Sequence, residues 1–124
     1  MIMQFYRSRK ENKIYAFAGA AGLPVEDKPC EELTANTVDA AKEKHVPVIE
    51  KSGNLVTVKV GSVAHPMTKE HYITFIAIET KEGIQIKTLQ PENQPEAVFA
   101  LADSDEVLAA YAYCNLHGLW KAEA

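Results

Sequence analysis

The sequence predicts an all-β fold: an antiparallel β-sandwich of about seven strands with a small N-terminal β appendage. Three observations predict it. Short runs rich in β-branched and aromatic residues recur from His45 to the end. Turn residues separate these runs at short intervals. Apolar residues make up 47% of the 124 positions, enough for one sizeable core.

The elements follow in order. Gln4–Tyr6 and Ile14–Phe17 read as one or two short strands, since both are rich in β-formers. Residues 19–24 form a loop and 26–29 a second break, each marked by glycine or proline. Residues 36–43 read as a short helical turn capped by Asn36 or Thr37. A boundary near residues 33–36 divides an appendage, 1–35, from the main domain, 36–124. Val46–Lys51 meets Asn54–Val60 across Ser52-Gly53, a hairpin signal. Leu55–Val60 nearly alternates, as a half-buried strand does. Tyr72–Glu79 is a longer strand, turned by residues 81–83 into Ile84–Leu89. Ala97–Leu101 follows a loop at 91–95. Val107–Tyr113 is alanine-rich but reads as strand because its tyrosines alternate. It leads to Cys114, and Tyr113–Lys121 reads as the last strand.

Composition excludes some classes. The formal charge is −4, and the two signs are interspersed. A nucleic-acid-binding surface would show a basic stripe. No run approaches the roughly 20 apolar residues that span a bilayer. Arg7, Arg9, Lys10, Glu11 and Lys13 occupy the start, where a signal peptide would be apolar. The expected location is cytoplasmic. Two cysteines, Cys30 and Cys114, make no disulfide framework. In a reducing compartment they are thiols, free or metal-bound.

The chemistry-bearing residues gather at strand ends. Cys114 and His117 lie three apart. His45 precedes a strand, His65 sits in the loop at 61–70, His71 opens a strand and His117 follows one. Pro66 stiffens the backbone at His65, and Pro47 does so near His45. Taken singly, each histidine reads as an ordinary surface or satisfied core residue rather than a ligand, and Cys114 as a buried structural thiol. Together they suggest one metal site. Structural zinc wants four ligands, one fewer than are available. Blue copper uses two histidines, and calcium and magnesium prefer oxygen. Four neutral nitrogens and a thiolate suit a five-coordinate iron with one face open. Fe(II) and one thiolate leave a single positive charge, which attracts small anions. Two other readings stay open here: a zinc enzyme using three of the histidines and a water, and a non-enzymatic binding module.

The segments Glu43-Lys44-His45-Val46-Pro47, Ala64-His65-Pro66-Met67, His71-Tyr72-Ile73 and Cys114-Asn115-Leu116-His117-Gly118-Leu119-Trp120 closely resemble the motifs of superoxide reductases, the desulfoferrodoxin and neelaredoxin family. The resemblance spans about residues 36–124, with the motifs in family order. It implies an immunoglobulin-like sandwich and one non-haem iron per chain. His45, His65, His71 and His117 would be equatorial ligands, and Cys114 the axial one. Glu43 would take the sixth position in the ferric state, and Lys44 would stand beside the open face. The implied reaction is one-electron reduction of superoxide to hydrogen peroxide, with a rubredoxin-like donor returning the electron.

Many desulfoferrodoxins hold a second iron in an N-terminal module with four cysteines. Here Phe5-Tyr6-Arg7-Ser8 resembles that module's start, but Ser8 and Glu11 stand where the first cysteine pair would be. Glu26-Asp27 lies near the place of the second pair, and Cys30 alone cannot build the site. The resemblance therefore implies residues 1–35 as a desulforedoxin-like module without metal ligands, and a homodimer. Trp120, Tyr72 and Met67 read as packing residues. Asn115, Leu116 and Gly118 are expected to turn backbone N–H groups toward the Cys114 sulfur.

Overall fold

A computed structural model of the chain describes residues 2–8, 10–11, 13–19 and 30–124. The chain divides into two compact units, Met1–Thr34 and Ala35–Ala124. The first is a three-stranded antiparallel sheet. Its strands are β1 (Ile2–Ser8), β2 (Ile14–Gly19) and β3 (Cys30–Leu33), in the order β2-β1-β3. β3 was not expected from sequence. Cys30-Glu31-Glu32-Leu33 is short and acidic, and it becomes a strand by pairing with β1. Arg7 also bonds the Glu31 carboxylate across that pair. Of the loop expected at 19–24, Gly19 instead ends β2, and the rest lies outside the described residues with the break at 26–29.

The second unit holds one helical turn, α1 (Lys42–His45), and seven strands. These are β4 (Pro47–Ser52), β5 (Leu55–Val60), β6 (Ile73–Thr80), β7 (Ile84–Thr88), β8 (Glu96–Ala100), β9 (Val107–Cys114) and β10 (Gly118–Glu123). One sheet runs β10-β9-β6-β7 and the other β4-β5-β8, with all pairs antiparallel. The expected antiparallel sandwich is present. Its core lies between the sheets and is built by period-two alternation. Val56, Val58 and Val60 point inward from β5, while Leu55 and Lys59 face out. Ile76 and Ile78 of β6, Phe99 of β8, and Ala110, Ala112 and Cys114 of β9 complete it. Phe75 and Tyr113 stack on the opposite face of their sheet, with ring centroids 5.7 Å apart.

Three expectations are corrected. The turn near residue 40 begins later than expected, and Asn36 and Thr37 do not cap it: Ala41 is the N-cap and makes no side-chain bond. Asn36 instead takes φ 64° and clasps the β10 edge. Its Oδ1 accepts from Lys121 N–H, and its Nδ2 donates to Lys121 O. Second, Tyr113–Lys121 is not one strand. Cys114 ends β9, residues 115–117 turn, and Gly118 opens β10, paired back to Cys114. Gly118 holds φ 79°, a conformation that disfavours a side chain and that the turn requires. Third, the strand ends shift by a residue or so, as at Ile73 and Ser52.

Antiparallel pairing decides where the functional residues go. Pro47 pairs with Val60, Ile73 with Cys114, and Gly118 with Cys114. The start of β4, end of β5, start of β6 and the β9–β10 turn therefore share one end of the sandwich. The β5 exit is held there by Gly61. A Cβ on Gly61 would stand 2.6 Å from Glu43 O and 3.0 Å from both Lys44 C and Val46 O. These are backbone atoms and cannot yield cheaply. Val63 N–H and Ser62 Oγ–H both donate to Glu43 O, at 2.9 and 3.3 Å.

The close approach gives a direct test. Gly61→Ala should cost about 1–3 kcal/mol through overpacking, read as a lower urea midpoint at unchanged slope. Gly83, which has nothing within 4 Å of its missing Cβ, should accept alanine within about 0.5 kcal/mol. Equal midpoints for the two variants would contradict the packing argument.

Candidate metal centre

Five residues converge at this end of the sandwich. His45 closes α1, and His65 lies in the connection after β5. His71 sits two residues before β6, Cys114 ends β9, and His117 lies in the β9–β10 turn. The imidazoles form a four-cornered ring. Neighbouring centroids are 4.7 Å (His45–His65), 4.7 Å (His65–His71), 5.1 Å (His71–His117) and 4.9 Å (His117–His45). Across the ring, His45 and His71 are 6.4 Å apart, longer than any edge. Neighbours stand nearly perpendicular, at 76–88°, while His45 and His71 tilt by only 30°. The ligand atoms of His45, His65, His71 and Cys114 all lie within 4.8 Å of one another. His117 Nδ1 lies 3.1 Å from His45 Nε2 and 3.9 Å from Cys114 Sγ.

The hydrogen bonds behind the rings decide which nitrogens are bare. His45 Nδ1 is 2.7 Å from Ala41 O, and His65 Nδ1 is 2.6 Å from Pro66 O. A carbonyl only accepts, so both Nδ1 atoms carry the hydrogen and both Nε2 atoms present lone pairs in the neutral rings. Those two Nε2 atoms face each other at 3.2 Å. Two lone pairs cannot satisfy one another. His71 Nε2 is buried and, among the described residues, is the one such side-chain nitrogen or oxygen without a hydrogen-bond partner. The arrangement needs a positive centre between the rings.

Protons are a poor choice for that centre. Burial lowers the pKa of His45, and His117 opposes its charge further; the Ala41 carbonyl offsets only part. Burial brings His65 down to about 4. It lowers His71 as well, with repulsion from His117, His45 and Lys44 added. A transition-metal ion takes up the same lone pairs and fits a set of imidazoles with one soft sulfur. Cys114 fits this role. Its side chain is fully buried, and burial raises the thiol pKa. The backbone N–H groups of Leu116 and His117 bond the sulfur and oppose that rise. A metal ion would deprotonate it outright.

The thiol comes from inside and the histidines from the loops. Cys114 shares the inward face of β9 with Ala110 and Ala112. Glu43 and Lys44 sit on α1 with exposed side chains, immediately before His45. Their charges reach the cluster: Lys44 acts on His45 and His71, and Glu43 on His45.

Some supporting residues were misread or missed. Leu116 bonds the sulfur as expected, but the second donor is His117, not Gly118. Asn115 N–H points elsewhere, to Tyr72 O at 3.2 Å. Trp120 does more than pack. Its ring stacks on His45 with centroids 4.9 Å apart, and its Nε1–H donates to His117 O at 3.1 Å. Ala41 O and Pro66 O orient two rings, yet backbone carbonyls leave no sequence signal. Met67 packs against the core as expected, and its sulfur accepts from Ile73 N–H.

A family model described as Desulfoferrodoxin matches residues 37–123. A desulfoferrodoxin homolog of Archaeoglobus fulgidus is 44% identical over 122 residues, covering 97% of this chain and 96% of that protein. A protein of Pyrococcus horikoshii named superoxide reductase is 39% identical over 107 residues, 73% of this chain and 93% of that one. The crystal structure of the superoxide reductase from Treponema pallidum aligns with a TM-score of 0.83 at 44% identity. It covers 99% of this chain and 100% of that one.

The depressed imidazoles predict a pH dependence of the metal-free chain. His65 moves from 6.5 unfolded to about 4 folded. Between those values the unfolded state binds the extra proton, so the folded state loses ground as pH falls. Stability should be full above 6.5 and decline toward 4, as read from urea midpoints across that range. His65→Gln should flatten the decline, and an equally steep decline would assign it to other groups.

Proposed function

We propose that this chain, which belongs to the desulfoferrodoxin family and is an oxidoreductase, reduces superoxide to hydrogen peroxide at one non-haem iron. The carrying observation is the ring of bare imidazole nitrogens closed by a buried cysteine sulfur. In this reading His45, His65, His71, His117 and Cys114 would hold the iron. The bound iron supplies a one-electron couple and an open position for a small anion. Superoxide takes one electron and two protons to become hydrogen peroxide, so no oxygen is released.

The chain's own residues handle charge and protons. Lys44 presents an exposed ammonium next to His45 and draws the anion despite the net charge of −4. The Lys44 ammonium would also order water that delivers a proton to the reduced substrate. Glu43, its neighbour on α1, would supply a carboxylate to the iron in its oxidised form. Leu116 and His117 N–H groups restrain the electron donation of the Cys114 sulfur.

The remaining roles belong to the same reading. A rubredoxin-like protein returns the electron, and the chain works as a cytoplasmic homodimer. No helix among the described residues is long and apolar enough to cross a membrane. Residues 1–35 act as a desulforedoxin-like module without iron. Ser8 lies across from Cys30 in the β1–β3 pair, and its Oγ accepts from Glu11 N–H at 3.1 Å. Two of the positions compared with iron-binding cysteines thus satisfy each other by hydrogen bonding.

Metal analysis and stopped-flow mixing with superoxide test the proposal. Protein matured with iron should hold one iron per chain and oxidise with a visible thiolate absorption that Cys114→Ser removes. Stoichiometric zinc, or a band surviving Cys114→Ser, would overturn the assignment. Lys44→Ala should slow the bimolecular step about ten-fold at low salt, and less at high salt. Glu43→Ala should leave peroxide formation intact and change the ferric spectrum.

A further inference from the structure

The β9–β10 turn carries a side chain that neither touches the ring of histidines nor bonds the sulfur. Asn115 Oδ1 accepts from Tyr72 N–H at 3.0 Å, and its Nδ2 donates to Glu70 O at 2.9 Å. Its own N–H donates to Tyr72 O at 3.2 Å. The three bonds straddle His71, one on the residue before it and two on the residue after. They join the segment bearing one imidazole to the turn bearing Cys114.

His71 depends on this more than His45 and His65 do. Carbonyls of Ala41 and Pro66 orient the rings of His45 and His65. Among the described residues no protein hydrogen bond holds the His71 ring, and its Nε2 is left bare. Its place is therefore set by its backbone. Thr68 bonds both His71 N–H and His71 O, but those bonds stay within the loop and do not reach the Cys114 turn, and the β6–β9 ladder meets that turn weakly. Ile73 pairs with Cys114, but the register shifts between Ile73 and Phe75. A bulge bends the strand and breaks the ladder locally. Beyond it, Asn115 continues the pairing through its side chain.

We propose that Asn115 is a positioning residue, which fixes the His71 segment against the Cys114 turn and so sets the separation of the His71 imidazole from the Cys114 sulfur. This rests on reading the cluster as a metal centre. The bonds predict graded behaviour. Alanine removes both side-chain bonds. Aspartate keeps an acceptor for Tyr72 N–H and loses the donor to Glu70 O.

The test uses the full chain loaded with Fe(II), as wild type, Asn115→Ala and Asn115→Asp. It reads the rate at which a chelator strips the iron, the position of the thiolate absorption after oxidation, and the urea midpoint of the metal-free protein. Asn115→Ala should release iron about ten-fold faster, since supporting residues of metal ligands carry effects of that size. Its absorption band should shift, and Asn115→Asp should fall between alanine and wild type. Wild-type release with an unmoved band in Asn115→Ala overturns the proposal, even if the urea midpoint drops. Alanine and aspartate variants equal in both iron readouts overturn it too. Should Asn115→Ala fail to fold, Asn115→Asp against wild type decides on the same readouts. A wild-type chain that retains no iron overturns the metal reading itself, and this inference with it.

Discussion

Two imidazole nitrogens that both present lone pairs cannot share a gap of 3.2 Å unless something positive lies between them. That constraint governs the end of the sandwich. Ala41 O and Pro66 O force the lone pairs of His45 and His65 inward. Burial then makes protonation costly, most of all at His65. The fold therefore builds a strained set of donors whose relief is a cation. The sulfur of Cys114 would add a soft, negative partner to such a cation.

The sandwich makes this possible because antiparallel strands return to the same end. Pairing of Pro47 with Val60, and of Ile73 and Gly118 with Cys114, brings four separate chain segments together. Small residues serve that approach. Gly61 admits the backbone of Glu43 to Val46, and Ala110 and Ala112 share the inward face on which Cys114 ends. The charged pair Glu43 and Lys44 is carried on the same backbone that delivers His45. The Lys44 ammonium and the His45 imidazole are thus placed by one tethered turn.

The supporting contacts divide the work. Backbone carbonyls orient His45 and His65, and Trp120 stacks on His45 while bonding the carbonyl of His117. Backbone N–H groups of Leu116 and His117 address the sulfur. Asn115 ties the turn to the segment of His71. Each is a hydrogen bond or a stacked ring held by regular strands, which limits how far the donor atoms can drift.

The strands of the main domain were legible because alternation and turn residues mark them, as in Leu55–Val60 around Val56, Val58 and Val60. So was the choice of strand for Val107–Tyr113, where alternating tyrosines outweighed alanine. β3 was not legible, since a short acidic segment becomes a strand only through its partner. Nor was the split of Tyr113–Lys121 into strand, turn and strand, although Gly118 marks the place. The candidate residues His45, His65, His71, Cys114 and His117 stood out by type and by their places at strand ends. Sequence by itself determined which donor atoms exist and that they lie at or beside strand ends. Only the tertiary structure decided that they meet, which ring nitrogens are bare, and that Asn115 and Trp120 support them. The reason is physical: spacing along a strand fixes a side chain's face, whereas convergence depends on register between distant strands and on backbone carbonyls that carry no residue identity.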